Sequence, residues 1–271
     1  RAEAADAAYR PTPPPRWGPA DTRVGDVEEG LARGVVRLRR HYTTAARHHV
    51  PLEPSATMAE WRDGTLTVYD ATQGVFNVRT VIAEALGLPI ERVRVIAHYT
   101  GGGFGAKGYV WPHQLIAAMT ARALGGAVRL TLTRAQTFTS HGYQPPTRQT
   151  VELAATAEGR LTALRHESLS ATAAYGEYVE MAATVSRVAY ACPAIETTHR
   201  VAPVATILPT PMRAPHEGTG TFALESAMDE LAYEIGMDPL ELRLRNYAEA
   251  DPTTGKPFST KRQYACYWEG A

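Results

Sequence analysis

The glycine-rich run at residues 100–108, Thr-Gly-Gly-Gly-Phe-Gly-Ala-Lys-Gly, is the stretch of this sequence that most clearly offers binding chemistry. Glycine at four of five consecutive positions permits positive φ angles and lets a ligand approach the backbone amides closely. Alternating residues over 93–98 predict a strand before the run, and apolar spacing from Pro112 predicts a helix after it. A glycine loop between a strand and a helix favours an anion, because open amides and helix N-termini attract negative charge.

Two interpretations of this loop compete. Residues 101–106 match the dinucleotide fingerprint G-x-G-x-x-A. That fingerprint also requires an acidic residue about 20 positions further on, whereas residues 92–151 contain no Asp or Glu. A nicotinamide site is therefore disfavoured. Because the same segment is rich in Arg, we expect attraction for phosphate to remain, and a glycine turn beside a solvated basic surface is the alternative.

Two further loops carry side chains that suit a ligand. Gln73 lies in Asp-Ala-Thr-Gln-Gly, between a predicted strand and a helix with apolar positions over 78–86. Arg213 lies in a Pro/Gly-rich loop before a helix predicted over 221–235. Gln73 and Phe104 thus each follow a strand and precede a helix, the position at which open α/β sheets bind ligands. A helix-capping role for Gln73 and a surface ion pair for Arg213 are the alternatives.

Residues 47–54 contain the potential metal ligands His48, His49 and Glu53. Two prolines in that segment prevent these side chains from sharing one helical face, so hydrogen-bonding loop histidines are the favoured interpretation. Cys192 and Cys266 show no CxxC or Cys/His spacing. The sequence therefore predicts neither a protein-ligated Fe–S cluster nor a zinc site.

Local patterns predict two hairpins and one irregular stretch. Residues 62–64, Arg-Asp-Gly, and residues 158–160, Glu-Gly-Arg, each lie between strand-like runs and are predicted to be hairpin turns. Residues 190–208, interrupted by prolines, are predicted to be loop and short strand.

The order of predicted elements indicates an α+β fold of mixed α/β character, with mixed sheets and helices packed after glycine-rich loops. A length of 271 residues, 44% of them hydrophobic, fits one large or two smaller domains. Residues 1–34, rich in Ala and Pro, are predicted to be a connector from an upstream domain. Residues 35–271 are predicted to be the binding domain, in one or two subdomains. Because the chain begins at Arg1 without Met, we interpret it as a fragment.

Composition argues against several classes of partner. Formal net charge is zero and the sequence pI is about 7.3, and aromatic repeats suited to base stacking are absent, so nucleic acid is not indicated. No apolar run approaches the roughly 18 residues of a membrane span, and the start resembles no signal peptide. The sequence is compatible with a cytoplasmic or a periplasmic location.

Several segments, in order along nearly the whole chain, resemble the molybdenum-binding large subunit of the xanthine dehydrogenase and aldehyde oxidoreductase family. Residues 70–74, 101–107 and 211–225 carry the strongest likeness. Residues 48–54, His-His-Val-Pro-Leu-Glu-Pro, are similar to the family's His-His-x-Pro-Met-Glu-Pro segment, and residues 238–246 are similar to another family segment. The chain is identified as the first molybdopterin-binding domain of such a subunit, a fragment of a larger protein.

The resemblance implies a molybdopterin cofactor with molybdenum, most often in the cytosine dinucleotide form. It implies that the following residues bind the cofactor: Gln73, Gly74, Gly102, Gly103, Phe104, Gly105 and Arg213. Gln73, Phe104 and Arg213 are expected close to the metal without ligating it. Gln73 would donate a hydrogen bond to a molybdenum oxo group, and Arg213 would orient cofactor or substrate.

The implied reaction is hydroxylation of an aldehyde or N-heterocycle with oxygen from water. The family's catalytic glutamate lies in a Gly-rich motif near the end of the subunit, and no such motif occurs here, so no catalytic residue is expected in this chain. The expected substrate pocket comprises Gly108, Met181, Arg213 and Pro215. Purine-oxidising members have Glu at the position of Gly108 and Arg at the ungapped counterpart of Met181, so aldehydes are favoured. His216 replaces a usual glycine.

The implied partners are an aldehyde or heterocycle substrate, the remainder of the large subunit, and Fe–S and FAD subunits or domains. Without them we expect the chain alone to be inactive. The alternative function is a non-catalytic anion or nucleotide-binding module that uses residues 101–107. A metal hydrolase built on His48, His49 and Glu53 is the least favoured hypothesis.

Overall fold

The computed structural model describes residues 5–270, which divide into two compact units. The first unit contains the chain up to Ala46, Pro145–Ala205 and the chain from Ala214 onward; the second contains Arg47–Gln144 and Thr206–Arg213. The first four residues of the predicted connector lie outside the described residues.

The strands in the described part are, in chain order, β1 (Thr22–Val24), β2 (Val36–Thr44), β3 (Ala56–Arg62), β4 (Thr65–Asp70), β5 (Val93–Ile96), β6 (Ala127–Thr131), β7 (Thr147–Ala155), β8 (Leu161–Ala173) and β9 (Ile195–Val204). The α-helices are α1 (Val27–Arg33), α2 (Val75–Leu86), α3 (Pro112–Leu124), α4 (Arg134–Ser140), α5 (Glu217–Ile235), α6 (Pro239–Arg245) and α7 (Gln263–Gly270). Short 3-10 helices span Pro15–Trp17, Ile90–Arg92, Ala106–Gly108 and Ala182–Arg187.

The first unit is built on a five-stranded sheet in the order β1-β9-β8-β7-β2. The long antiparallel hairpin predicted around residues 158–160 is confirmed as β7 and β8, and β8 pairs with β9 in parallel. Helix α5 covers this sheet, because its apolar stripe, including Leu224, Met228 and Leu231, packs with strand residues such as Leu153 and Leu164. The first unit therefore has a core of its own.

Two parts of the first unit differ from expectation. Residues 22–33, assigned to the connector, instead form β1, which pairs with β9, and α1, whose Val27 and Leu31 are buried. That part of the prediction is wrong. The helix has only seven residues, so its buried apolar residues Val27 and Leu31 do not establish a helical period in the sequence. Residues 195–204 form one ten-residue strand rather than the predicted loop and short strand. Pro193 precedes this strand, and Pro203 lies at its end, so neither interrupts it.

The second unit is built on a four-stranded sheet in the order β5-β4-β3-β6. The predicted hairpin at residues 62–64 is confirmed, with Asp63 at φ 48° and Gly64 at φ 73°, the positive values that a tight hairpin turn requires. Residues of α2 and α3, including Val78, Ile82 and Ala117, pack with Val68 and Val93 in one core.

Strands β4 and β5 are adjacent and parallel, so their carboxyl ends lie at the same edge of the sheet. Gln73 follows β4 and the glycine loop follows β5, as the sequence predicted for both segments, and hydrogen bonds join the two segments. The fold is mixed α+β with two mixed sheets, as predicted. Within residues 5–270, none of the helices has the length and apolar character needed to span a membrane.

Candidate functional site

Gln73 braces the glycine loop through its side-chain oxygen. Its Oε1 accepts hydrogen bonds from the backbone amides of Gly105 (3.0 Å) and Lys107 (3.3 Å), and its own amide donates to the Lys107 carbonyl (2.8 Å). An amide N–H can bond only to the carboxamide oxygen, so these two bonds fix the orientation of the Gln73 side chain. The Nε2 group has no acceptor among the residues described, and the residue is exposed. Gln73 therefore offers a donor of fixed direction at the loop.

Three of the loop glycines are required by packing within the chain itself. A Cβ on Gly101 would overlap Glu53, one on Gly103 would overlap the Gln73 carboxamide, and one on Gly105 would overlap the Pro211 carbonyl. Close approach of a ligand is therefore not what demands glycine at these positions. This corrects the interpretation made from the sequence. Glycine at these positions lets the loop pack closely against Glu53, Gln73 and Pro211.

Gly102 and Gly108 differ from those three glycines. Gly102 adopts φ 83° and a Cβ there would lie 3.2 Å from the Phe104 ring, whereas a Cβ on Gly108 would meet nothing within 4 Å. The amides of Gly102, Gly103 and Phe104 donate to no acceptor within the described part of the chain. Because Gly103 is buried, the amides of Gly102 and Phe104 are the ones the loop leaves available to a ligand. Unpaired backbone N–H groups of this kind suit an anion.

Phe104 links the glycine loop to the segment that carries Arg213. It adopts φ 54°, a sparsely populated value for a non-glycine residue, and the residue is 43% exposed. Its carbonyl accepts the Arg213 amide at 2.9 Å, and the Arg213 side chain is exposed. Nearby, His49 Nε2 donates to the Pro211 carbonyl (2.7 Å), which fixes the tautomer of His49. The second unit thus brings residues 48–53, 101–107 and 208–213 together.

Polar groups beneath the loop are buried. Asp70, at the end of β4, accepts hydrogen bonds from the Thr57 hydroxyl and from Gln114 Nε2 (2.6 Å), and burial raises the pKa of its carboxyl. Burial also lowers the pKa of His113 and of His141 to about 4, so both imidazoles are neutral near pH 7. The carboxyl end of this sheet therefore carries polar side chains in its interior as well as at its surface.

The four residues expected to form a substrate pocket are divided between the two units. Gly108 and Arg213 belong to the second unit and Met181 and Pro215 to the first. Met181 is completely buried, in a cluster with Val179 and Val201, whereas Pro215 is exposed. The Met181 side chain contributes to the interior of the first unit, and Gly74, also predicted to bind cofactor, lies at the N-terminus of α2.

Sequence reasoning missed a buried polar cluster in the first unit. Glu180, which has no exposed surface, accepts hydrogen bonds from the Tyr178 hydroxyl (2.8 Å), the Thr219 hydroxyl (2.9 Å) and the His216 amide (3.2 Å). Burial acts to raise the pKa of Glu180, but bonds from His216, Tyr178 and Thr219 hold it below the ordinary value. The one signal in the sequence was His216 at a position where glycine is usual.

His216 and Ala214 form a strained turn just before α5. They adopt φ 72° and φ 56° respectively, values that favour glycine. His216 Nδ1 accepts the Met181 amide (2.9 Å), and its ring packs edge-on against Trp17 with 4.8 Å between centroids. The surrounding structure therefore holds His216 in this conformation.

The potential ligands of the metal-hydrolase hypothesis do not converge. His49 is committed to the Pro211 carbonyl, and Glu53 packs at Gly101 beside Lys107. Over residues 5–270, no group of three or more His, Cys, Asp or Glu side chains is arranged to hold a metal ion.

Comparison with known proteins gives one consistent family. A model of the molybdopterin cofactor-binding domain matches residues 11–247. The aldehyde oxidoreductase molybdenum-binding subunit PaoC of Escherichia coli K12 is 35% identical over 268 residues, covering 98% of this chain and 36% of the relative. The putative xanthine dehydrogenase molybdenum-binding subunit XdhA of the same organism is 31% identical, covering 86% and 32%. The chain thus spans about a third of the length of these relatives.

Solved structures agree with the sequence comparisons. The aldehyde oxidoreductase of Desulfovibrio gigas superposes with a TM-score of 0.84 at 25% identity, covering 92% of this chain and 28% of that one. The aldehyde oxidoreductase of Desulfovibrio desulfuricans superposes with a TM-score of 0.83 at 22% identity, which supports the fold.

Proposed function

We propose, from the premise that this chain belongs to the molybdopterin cofactor-binding domain family of aldehyde oxidoreductases and xanthine dehydrogenases, that it forms one wall of a molybdenum cofactor site in an aldehyde-oxidising enzyme. Its own contribution is to bind and orient the cofactor. The molybdenum cofactor, when bound, supplies two-electron oxidation at a substrate carbon with oxygen taken from water. The catalytic base is proposed to lie outside this chain.

The observation that carries the proposal is the fixed carboxamide of Gln73. Its Oε1 is occupied by the amides of Gly105 and Lys107, so only the Nε2 donor faces outward. The unused amides of Gly102 and Phe104 supply further donors on the same loop. An anionic cofactor that bears oxo and phosphate groups fits this set, because every group offered is a donor.

Arg213 adds the positive charge to this set of donors. Its amide is bonded to the Phe104 carbonyl at 2.9 Å, so its backbone position is tied to the glycine loop. Its exposed guanidinium can donate to two oxygens at once, the geometry that suits carboxylate and phosphate. We assign to Arg213 the orientation of cofactor or substrate, and to Gly102 backbone contact with the cofactor through its unused amide. Gly74, Gly103 and Gly105 are assigned the shape of the turns that face the cofactor, because the amides of Gly74 and Gly105 are already bonded to Thr72 and Gln73 and Gly103 is buried.

The proposed substrate is an aldehyde rather than a purine. Gly108 leaves the space beside the loop open and offers no carboxylate to pair with the nitrogens of a heterocycle. PaoC is named as an aldehyde oxidoreductase subunit, which favours the same substrate class. The cytosine dinucleotide form of the cofactor, the remainder of the large subunit, and Fe–S and FAD partners complete the proposal.

Metal and pterin analysis of the full-length protein, purified with its partners, tests this function. Gln73→Ala and Arg213→Ala are compared with Glu84→Ala and Arg62→Ala, which alter exposed side chains elsewhere in the same unit. We expect stoichiometric molybdenum and aldehyde turnover in the wild type, with turnover impaired by the first pair only. Wild-type protein that contains neither molybdenum nor pterin, despite a competent cofactor supply, contradicts the proposal. Nucleotide binding by that metal-free protein would then support the anion-module alternative.

A further inference from the structure

The ammonium group of Lys107 is buried directly beneath the glycine loop. The Lys107 side chain is 1% exposed, its Nζ donates to the Thr100 carbonyl, and Nζ lies 3.7 Å from Glu53 Oε2. Buried lysines are costly unless they are paired. Burial lowers the pKa of Lys107, while the Glu53 and Asp70 carboxylates act in the opposite direction. A buried cation at this position requires a physical reason.

Glu53 contacts the other end of the same loop. Its backbone amide donates to the Gly101 carbonyl (3.2 Å), and its side chain fills the space that a Cβ on Gly101 would need. Glu53 therefore holds the first glycine of the loop through its main chain and meets the Lys107 ammonium through its carboxylate. The two ends of the loop are joined across its base by this ion pair and by the Lys107 Nζ bond to the Thr100 carbonyl.

The backbone of Lys107 holds Gln73 at the same time. Its amide donates to Gln73 Oε1 (3.3 Å), and its carbonyl accepts from the Gln73 amide (2.8 Å) and from the Thr72 hydroxyl (3.0 Å). Any rotation of the backbone at Lys107 would disturb all three bonds. The position of the Lys107 main chain therefore decides where the Gln73 carboxamide lies.

We propose that the Lys107–Glu53 ion pair is a clamp that sets the conformation of residues 100–108, and with it the direction of Gln73 Nε2, before any cofactor binds. Lys107 and Glu53 are positioning residues, since each acts through the loop rather than by touching a ligand. The inference deepens the proposed function and rests on it for the role of Gln73. Because the loop is already ordered, cofactor binding does not have to offset the conformational entropy lost on ordering four glycines.

The alternative explanation for the burial of Lys107 is that its side chain only fills space beneath the loop. Met has a similar linear shape without an ammonium group, so Lys107→Met preserves volume while leaving the Thr100 carbonyl without its donor. Glu53→Gln removes the charge from a carboxylate that is 44% exposed, so a general loss of folding is not expected from it. The two variants together separate the clamp from simple packing.

Amide hydrogen exchange in the full-length protein provides the test. We expect Lys107→Met to accelerate exchange at the amides of Gly105 and Lys107 by about tenfold or more, because local opening no longer breaks an ion pair. Exchange in the β3–β4 ladder should stay within about twofold of the wild type. Glu53→Gln should give a smaller acceleration at the same amides. Equal acceleration at the loop and at the β3–β4 ladder, or no change in the loop, overturns the proposal.

The double variant Lys107→Met/Glu53→Gln sharpens the test. If the two side chains act as one clamp, the loop amides of the double variant exchange at the same rate as those of Lys107→Met alone. If the two side chains act independently, the accelerations of the two single variants multiply in the double variant. In molybdenum-loaded enzyme, the clamp also predicts that kcat falls more than KM rises, together with an altered Mo(V) EPR spectrum. If kcat falls only in proportion to the fraction of active enzyme and the EPR spectrum is unchanged, the clamp is contradicted.

Exchange measured on protein made without cofactor separates the two proposals. The loop should retain wild-type protection there, because the clamp acts before binding. If wild-type protein lacks molybdenum yet shows the clamp, the proposed function fails while the clamp stands. If molybdenum is present and the loop is unprotected without cofactor, the clamp is wrong and the function stands.

Discussion

The two units differ in what their hydrogen-bonded polar side chains leave available to a ligand. In the first unit, His166 is hydrogen-bonded at both ring nitrogens, to Ser186 and Gln149, and Glu180 accepts bonds from three donors. In the second unit, the Gln73 carboxamide is bonded on its oxygen side and open on its nitrogen side. The bonds of His166 and Glu180 are internal to the first unit and stabilise its fold, although His216 Nε2 beside them is buried without a partner among the described residues. The exposed Gln73 carboxamide keeps a donor available for a ligand.

This contrast assigns different work to the two units. Closed polar networks rigidify a core and favour one packing arrangement. Open donors on a braced loop cost stability but are already oriented when a ligand arrives. Under the proposed function, we therefore interpret the first unit as mainly a scaffold and the second as the unit that contacts the cofactor.

The largest expected effect comes from Gly103→Ala in the second unit. The added methyl group overlaps the Gln73 carboxamide, so the loop or Gln73 must move. We expect turnover to fall by about 100-fold or more, which corresponds to roughly 3 kcal/mol. Steady-state kinetics measures this loss. Gly126→Ala is the matched control in the same unit, since a Cβ there meets nothing within 4 Å, and a comparable loss in that variant would remove the assignment.

Gly220→Ala makes the corresponding change in the first unit. Here the methyl group overlaps the backbone carbonyl of Ala182, which cannot swing aside as a side chain can. We expect the free energy of unfolding to fall by about 2 kcal/mol, as measured by urea denaturation. Cofactor content per folded molecule should be unaffected. If Gly220→Ala lost cofactor without losing stability, the first unit would not be only a scaffold, and the distinction between the two units would be wrong.

Acidification should destabilise both units through their buried histidines. Burial lowers the pKa of His113, His141 and His199 to about 4 from an ordinary value of 6.5. The unfolded chain binds protons below about pH 6.5 while the folded one does not, so this stability is complete above that pH and is lost toward pH 4. We expect roughly 1 kcal/mol per histidine between pH 7 and 5.5, measured by urea denaturation across pH.

One histidine offers a control for this pH dependence. His113 Nδ1 has no hydrogen-bond partner within the described residues, so His113→Gln removes a proton-binding group without breaking a bond at that atom, while the ring contact with His141 is lost. The loss of stability between pH 7 and 5.5 should then shrink by that one histidine's share. An unchanged pH profile would mean that His113 is not held neutral by burial.

The smallest effect is expected for Gly108→Ala. Its Cβ meets nothing within 4 Å and the residue is not among those with positive φ. We expect the free energy of unfolding to change by less than about 0.5 kcal/mol, in contrast to Gly103→Ala on the same loop. A large loss at Gly108 would show that openness does not separate ligand-facing glycines from packed ones.

Local patterns predicted much of the fold. The turn at Asp63 and Gly64, the helix that follows Gln73 and the hairpin of β7 and β8 all follow from turn residues and apolar periods in the sequence. Where those signals are short the prediction failed, as for β1 and α1, whose pairing and burial depend on residues more than 100 positions away. Periodicity reports the face of a long element but not the partner of a short one.

The sequence by itself determined the family and the segments that meet at the site, because Gln73, the glycine loop and Arg213 lie in motifs that can be recognised one by one. Only the tertiary structure decided how those segments are used. Gly101, Gly103 and Gly105 were expected to make room for a ligand, yet the space beside them is filled by Glu53, Gln73 and Pro211. The sequence likewise gave no sign that Lys107 is buried. Each of these facts depends on contacts between segments distant along the chain, which no local pattern encodes.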